Sequence, residues 1–128
     1  MATLFYYLAI ASLLTHELDA VRHTEWGLLY ILRDLPETLA YPSFVALHLP
    51  LIFIILWLSH LESLRAQLVF RRAFSAFVVI HSLIHFRLIG SDGYTFSGWL
   101  SDGLIFGSAL LALIYLYLST RSATRTSI

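Results

Sequence analysis

Cysteine is absent from this chain, and so is lysine. Without a thiol there is no disulfide, no thiolate metal site and no cysteine nucleophile. Charge is scarce as well: only 12% of the 128 residues are charged, against about 25% in a soluble domain. A chain so poor in charge lacks the polar surface to face water on every side. Eight arginines balance eight acids. The basic excess that a nucleic-acid partner requires is therefore missing, and none is expected. What fills the sequence is apolar, with 59% hydrophobic and 15% aromatic residues. At this length the chain makes a single domain, residues 1–128.

A membrane-crossing helix needs about 20 mostly apolar residues. Four segments approach that length, at residues 2–20, 44–61, 73–89 and 99–118. Punctuation lies between them. Asp34-Leu35-Pro36-Glu37 and Tyr41-Pro42-Ser43 break the chain before the second span, Arg71-Arg72 precedes the third, and Gly90-Ser91-Asp92-Gly93 turns into the fourth. The expected fold is all-α: an integral membrane four-helix bundle with a short interfacial segment, from Glu25 to Leu35, between helices 1 and 2. The apolar run from Leu4 to Leu14 has the length of a secretory leader. No basic residue precedes it and no small-x-small site follows, so it reads as a retained helix.

Arg65, Arg71 and Arg72 fall between spans two and three, and Arg121 and Arg125 after span four. By the positive-inside rule those regions share the cytoplasmic side, which puts both termini there. Trp26, Tyr30, Tyr41, Tyr94 and Trp99 then sit near the outer boundary, as interfacial aromatics do. The implied location is a bacterial inner membrane, with the lipid bilayer as the first partner.

The ionisable residues collect at one depth. His16, Glu17 and Asp19 lie toward the outer end of span one, His48 just inside span two, His81 and His85 in the outer half of span three, and Asp102 one turn into span four. His81 and His85 share a face, four residues apart. Titratable groups in hydrocarbon are costly unless paired and tend to face a bundle interior. Taken singly, each is a hydrogen-bonded packing residue; convergence from all spans is what suggests a metal site. His16, Asp19, His48, His81, His85 and Asp102 are the candidate ligands, with Glu17 as general base or bridging carboxylate. His23 and Glu25 are expected outside the core and solvated. His60 and Glu62 read as a polar end of span two.

Imidazole with carboxylate and no thiolate suits zinc, iron or manganese. The Glu-x-x-His pairs of di-iron bundles are absent, as is the glutamate beside a zinc-protease His-x-x-x-His. The pattern therefore signals a site without naming its chemistry. Ligands bind deprotonated, so occupancy should fall on acidification. Pro50 should bend span two and free the Ala46 carbonyl near His48. Gly103 and Gly107 permit a close helix contact, within one protomer or in a homo-oligomer.

Thr15-His16-Glu17-Leu18-Asp19-Ala20, then Glu25-Trp26, Leu47-His48-Leu49-Pro50-Leu51 and His81-Ser82-Leu83-Ile84-His85-Phe86 together resemble the signature of a family of small uncharacterised bacterial membrane proteins. There is a distant likeness to the membrane proteins named for an HXXEE motif, broken here because Glu17 follows His16 directly. The resemblance implies a four-helix membrane protein with His16, Glu17, Asp19, His48, His81 and His85 as signature positions, and no function. Four functions compete. One is a metal-dependent enzyme, oxidoreductase or hydrolase, acting on a lipid or other apolar small molecule. The second is a haem-binding electron carrier with His48 facing His81 or His85. The third is a small transporter or proton relay. The fourth is an accessory subunit whose polar residues only join helices.

Overall fold

Residues 1–125 are described by the structure, a computed structural model. Four helices account for most of them: α1 (Ala2–Arg22), α2 (Glu37–Ser59), α3 (Leu64–Leu88) and α4 (Trp99–Arg125). Each is long and apolar enough to cross a membrane. Among the described residues there is no strand.

α1 packs against the rest of the chain along one face. Tyr6, Ala9, Ile10, Leu13, His16 and Ala20 are buried at three- and four-residue intervals, which lines them along one face. α4 packs along α1 and α3 over much of their length, whereas α2 makes much lighter contact with its neighbours. Two apolar clusters result. The lower joins Tyr6, Ile10 and Leu13 to Ile55, Phe74, Val78 and Tyr115. The upper joins Ala20 to Trp26, Leu32, Phe44, Phe96 and Ile105. Serines hydrogen-bond across helices: Ser82 Oγ donates to the Ile105 carbonyl at 2.6 Å and Ser12 Oγ to that of Leu104 at 3.2 Å. Small donors of this kind let apolar helices approach closely.

The helices overrun the segments read from hydropathy. α2 begins at Glu37, and Pro42 lies inside it rather than breaking the chain before it. Pro36 supplies a fixed φ of −61° at the N-cap, and Pro42, the sixth residue of the helix, removes the hydrogen bond to the Thr38 carbonyl without ending it. α3 begins at Leu64 behind a Ser63 cap, whose Oγ accepts from the Ala66 N–H. Arg71 and Arg72 therefore belong to α3 and not to a linker. α2 continues through Pro50 to Ser59. The expected interfacial helix is a single 3-10 turn, Glu25–Gly27, followed by turns. Trp26 is buried there, and its Nε1 donates to Glu37 Oε2 at 3.0 Å. No atom of another helix lies within 4 Å of where a Cβ would stand on Gly103 or Gly107, so these glycines make no close contact inside the protomer.

The lower end of α2 is clamped by a buried arginine. Arg71 donates from Nε and Nη2 to the Ser59 carbonyl at 3.1 and 2.8 Å, and from Nη2 to Tyr7 Oη at 3.1 Å. A cation at a helix C-terminus also favours the helix dipole. Beside it Tyr6 Oη and Ser59 Oγ share a hydrogen bond, and Tyr7 Oη meets His60 Nε2 at 2.8 Å.

Candidate metal centre

Between the two apolar clusters lies a polar group. One side-chain atom from each of His16, Glu25, His81 and His85 falls within 4.8 Å of all the others. Three elements supply them: α1 gives His16, α3 gives His81 and His85 one turn apart, and the 3-10 turn gives Glu25. His16 Nε2 stands 3.8 Å from Glu25 Oε2, and His85 Nε2 stands 3.6 Å from Glu25 Oε1. The imidazole centroids are 4.7 to 5.3 Å apart. A tetrahedral ion with bonds of about 2.1 Å holds its ligand atoms about 3.4 Å apart. Small side-chain rotations would close the set on such an ion.

The group is buried and incompletely satisfied. His16 is fully buried, and Glu25 and His85 nearly so. Both ring nitrogens of His16, Glu25 Oε2 and His81 Nε2 are buried with no hydrogen-bond partner among the described residues. A buried polar atom left unpaired costs about 1–3 kcal/mol, so four in one place call for a ligand. Burial alone would raise the Glu25 carboxyl, but the imidazoles of His85, His16 and His81 outweigh it. They hold it below the usual carboxylate range, so it is ionised at neutral pH.

Glu25 reaches the group through an unusual backbone. α1 ends at Arg22, and Thr24 adopts φ 52° and ψ 45°. This left-handed conformation is strained for a β-branched residue. It reverses the chain and returns Glu25 and Trp26 to the interior. The solvated placement expected for Glu25 is thus corrected. His23, expected in solvent too, is partly buried and stacks on Phe96 with centroids 4.7 Å apart.

The remaining sequence candidates stand elsewhere. Asp19 is buried but accepts from Ser101 Oγ at 2.5 Å and faces His23 at 3.7 Å, so it joins α1 to α4. His48 has both nitrogens engaged: Nδ1 donates to the Phe44 carbonyl at 2.7 Å, and Nε2 meets Glu17 Oε2 at 2.9 Å. Asp102 is exposed, and no atom of it belongs to the four-residue group. Of six expected ligands, His16, His81 and His85 come together, and the fourth member is Glu25. The acid that sequence reasoning missed carried one signal, its place beside a tryptophan in a short apolar loop.

Phe96 packs against His16 and His85 with centroids at 5.4 and 5.0 Å. Tyr94 Oη lies 3.3 Å from His85 Nδ1. Gly93, at φ 81°, makes the turn that delivers this tyrosine. Burial, with the carboxylates of Asp102 and Glu25, pushes the Tyr94 hydroxyl above its usual range. It stays a neutral hydroxyl that can orient His85. Partners of this kind are worth about 10–100-fold in metal affinity. Tyr94→Phe is expected to weaken zinc binding by that factor in a chelator competition, without loss of helical circular dichroism.

No curated protein and no solved structure matches the chain. A family profile does, over residues 2–122. The chain belongs to that family, a family of unknown function (DUF6713).

Proposed function

We propose that this is an integral membrane protein that binds a divalent metal ion, zinc or iron, at His16, Glu25, His81 and His85, and uses it as an enzyme on a lipid or another apolar small molecule. The observation that carries the reading is a buried group of one side-chain atom each from His16, Glu25, His81 and His85 within 4.8 Å of one another, in which His16, Glu25 and His81 keep atoms without a hydrogen-bond partner. Three imidazoles and one carboxylate form a donor set suited to such ions. A bound ion would polarise an oxygen of the substrate as a Lewis acid.

Membrane insertion is supported by the outer surface. α2 buries only Ala40, Phe44, Ile55 and Ser59, while Leu49, Phe53 and Trp57 are 78%, 62% and 60% exposed. Such a continuous apolar face suits acyl chains and not water. The arginine distribution supports a bacterial inner-membrane orientation with both termini cytoplasmic.

An ion fits this geometry better than haem. The imidazoles meet edge to face at 60 to 84°, with no flat slot between them, and His48 has no free nitrogen for iron.

Elemental analysis of detergent-purified protein tests the proposal. The expected result is near-stoichiometric metal in the wild type and background levels in His81→Ala and His85→Ala, with helical content kept in both. Metal-free wild type after loading with zinc or ferrous iron would reject it. Acidification should release the ion, because protons compete for the imidazoles.

A further inference from the structure

The four-ligand group forms part of the wall of a cavity of about 210 Å³ between α1, α2 and α3. Glu25 and His81 belong to both the group and the cavity wall, whereas His16 and His85 do not line it. Glu17 and His48 line it too, and the rest of the wall is apolar, including Leu13, Leu47, Leu51, Ile55 and Phe77. Polar groups are thus few within an otherwise hydrocarbon-like space. The cavity is smaller than the roughly 300–1,000 Å³ of sites for drug-sized ligands, which suits a slim chain over a ring system.

Its mouth is lateral. Leu47, Leu51 and Phe77, on α2 and α3, are 51%, 44% and 47% exposed. α2 is tied near its ends, by Trp26 to Glu37 above and Arg71 to the Ser59 carbonyl below. Lighter packing between those ties leaves an opening on the side that would face acyl chains.

Hydrogen-bond roles in the Glu17–His48 pair can be assigned. A carbonyl can only accept, so His48 Nδ1, 2.7 Å from the Phe44 oxygen, carries a hydrogen. A 2.9 Å contact from Nε2 to Glu17 Oε2 then needs one further proton between them, on either atom. Carboxylic acid with neutral imidazole, or carboxylate with imidazolium, both leave the pair with zero net charge. That suits a low-dielectric wall.

We infer that the cavity binds one single-chain amphiphile with an oxygen-bearing head, of the long-chain acid or alcohol class, entering sideways from the hydrocarbon. Its head lies between Glu25–His81 and Glu17–His48, and the second carboxyl oxygen of Glu17 accepts a hydrogen bond from the head hydroxyl, because the shared proton is already held between Oε2 and His48 Nε2. This inference rests on the membrane and metal reading proposed above, and it gives Glu17 and His48 a substrate-positioning role apart from the metal.

The test uses the full chain in lipid nanodiscs with a diazirine-bearing palmitic acid analogue, and the labelled residues are mapped by mass spectrometry. Label is expected on the walls around Leu47, Leu51 and Phe77. Unlabelled palmitic acid or hexadecanol should compete at least tenfold better than hexadecane, which has the same chain and no head. Leu51→Trp, which fills the cavity, should cut labelling at least tenfold, and Leu113→Trp, on the exposed face of α4, should not. Glu17→Leu should abolish the advantage of palmitic acid over hexadecane. Label spread evenly over all four helices, equal competition by hexadecane, or unchanged labelling in Leu51→Trp would overturn the inference. Metal content measured in the same samples separates the two readings. Bound metal without specific labelling sinks the amphiphile alone, and specific labelling without metal sinks the metal site alone.

Discussion

Glu25→Ala is expected to lower affinity for zinc or ferrous iron by more than about 100-fold, exceeding the range typical of residues that only support a ligand. Glu25 is the single anion among the four candidate ligands, and it faces two imidazoles at 3.6 and 3.8 Å. Its removal leaves three neutral rings to hold a divalent cation in a dry interior. Asp19→Asn should leave affinity within a few-fold, because the Asp19 carboxylate is occupied by Ser101 and His23. A titration against a chromophoric chelator measures both. Equal losses in the two variants would show that the ion is held elsewhere than the geometry indicates.

Arg71→Met is expected to destabilise the protein by about 3 kcal/mol, the scale of losing hydrogen bonds to a charged group. The guanidinium holds the Ser59 carbonyl and the Tyr7 hydroxyl from a buried position, so α2 would lose its lower attachment. Arg71→Lys should recover only part of the loss, because an ammonium lacks the fork that reaches both partners. Unfolding by SDS in mixed micelles reads the difference. Metal content should persist in Arg71→Met under folding conditions, since none of the four ligands comes from α2. Unchanged stability would mean that α2 is held by its upper contacts alone.

Much of this was legible from composition and spacing. Apolar runs of near-spanning length produce four helices because a backbone in such runs satisfies its own hydrogen bonds most cheaply as helix. His81 and His85 share a face by helical period, and His16 falls on the buried face of α1 by the same arithmetic. Helix ends were less legible. Pro42 and Arg71 look like punctuation, yet α2 and α3 run through them. A long apolar helix can run through a proline that deletes one hydrogen bond, and a buried arginine can spend its charge on carbonyls.

By itself, then, the amino-acid order determined an apolar helical chain with three imidazoles able to meet near one level. Only the tertiary structure decided the fourth member and the separate roles of the other acids. Nine residues along a continuing helix would hold His16 and Glu25 about 13 Å apart. The left-handed turn at Thr24 brings them to 3.8 Å. A single positive φ at one residue leaves no periodic trace in sequence. Likewise the pairing of Glu17 with His48 depends on how α2 leans against α1, which hydrophobic pattern alone does not set.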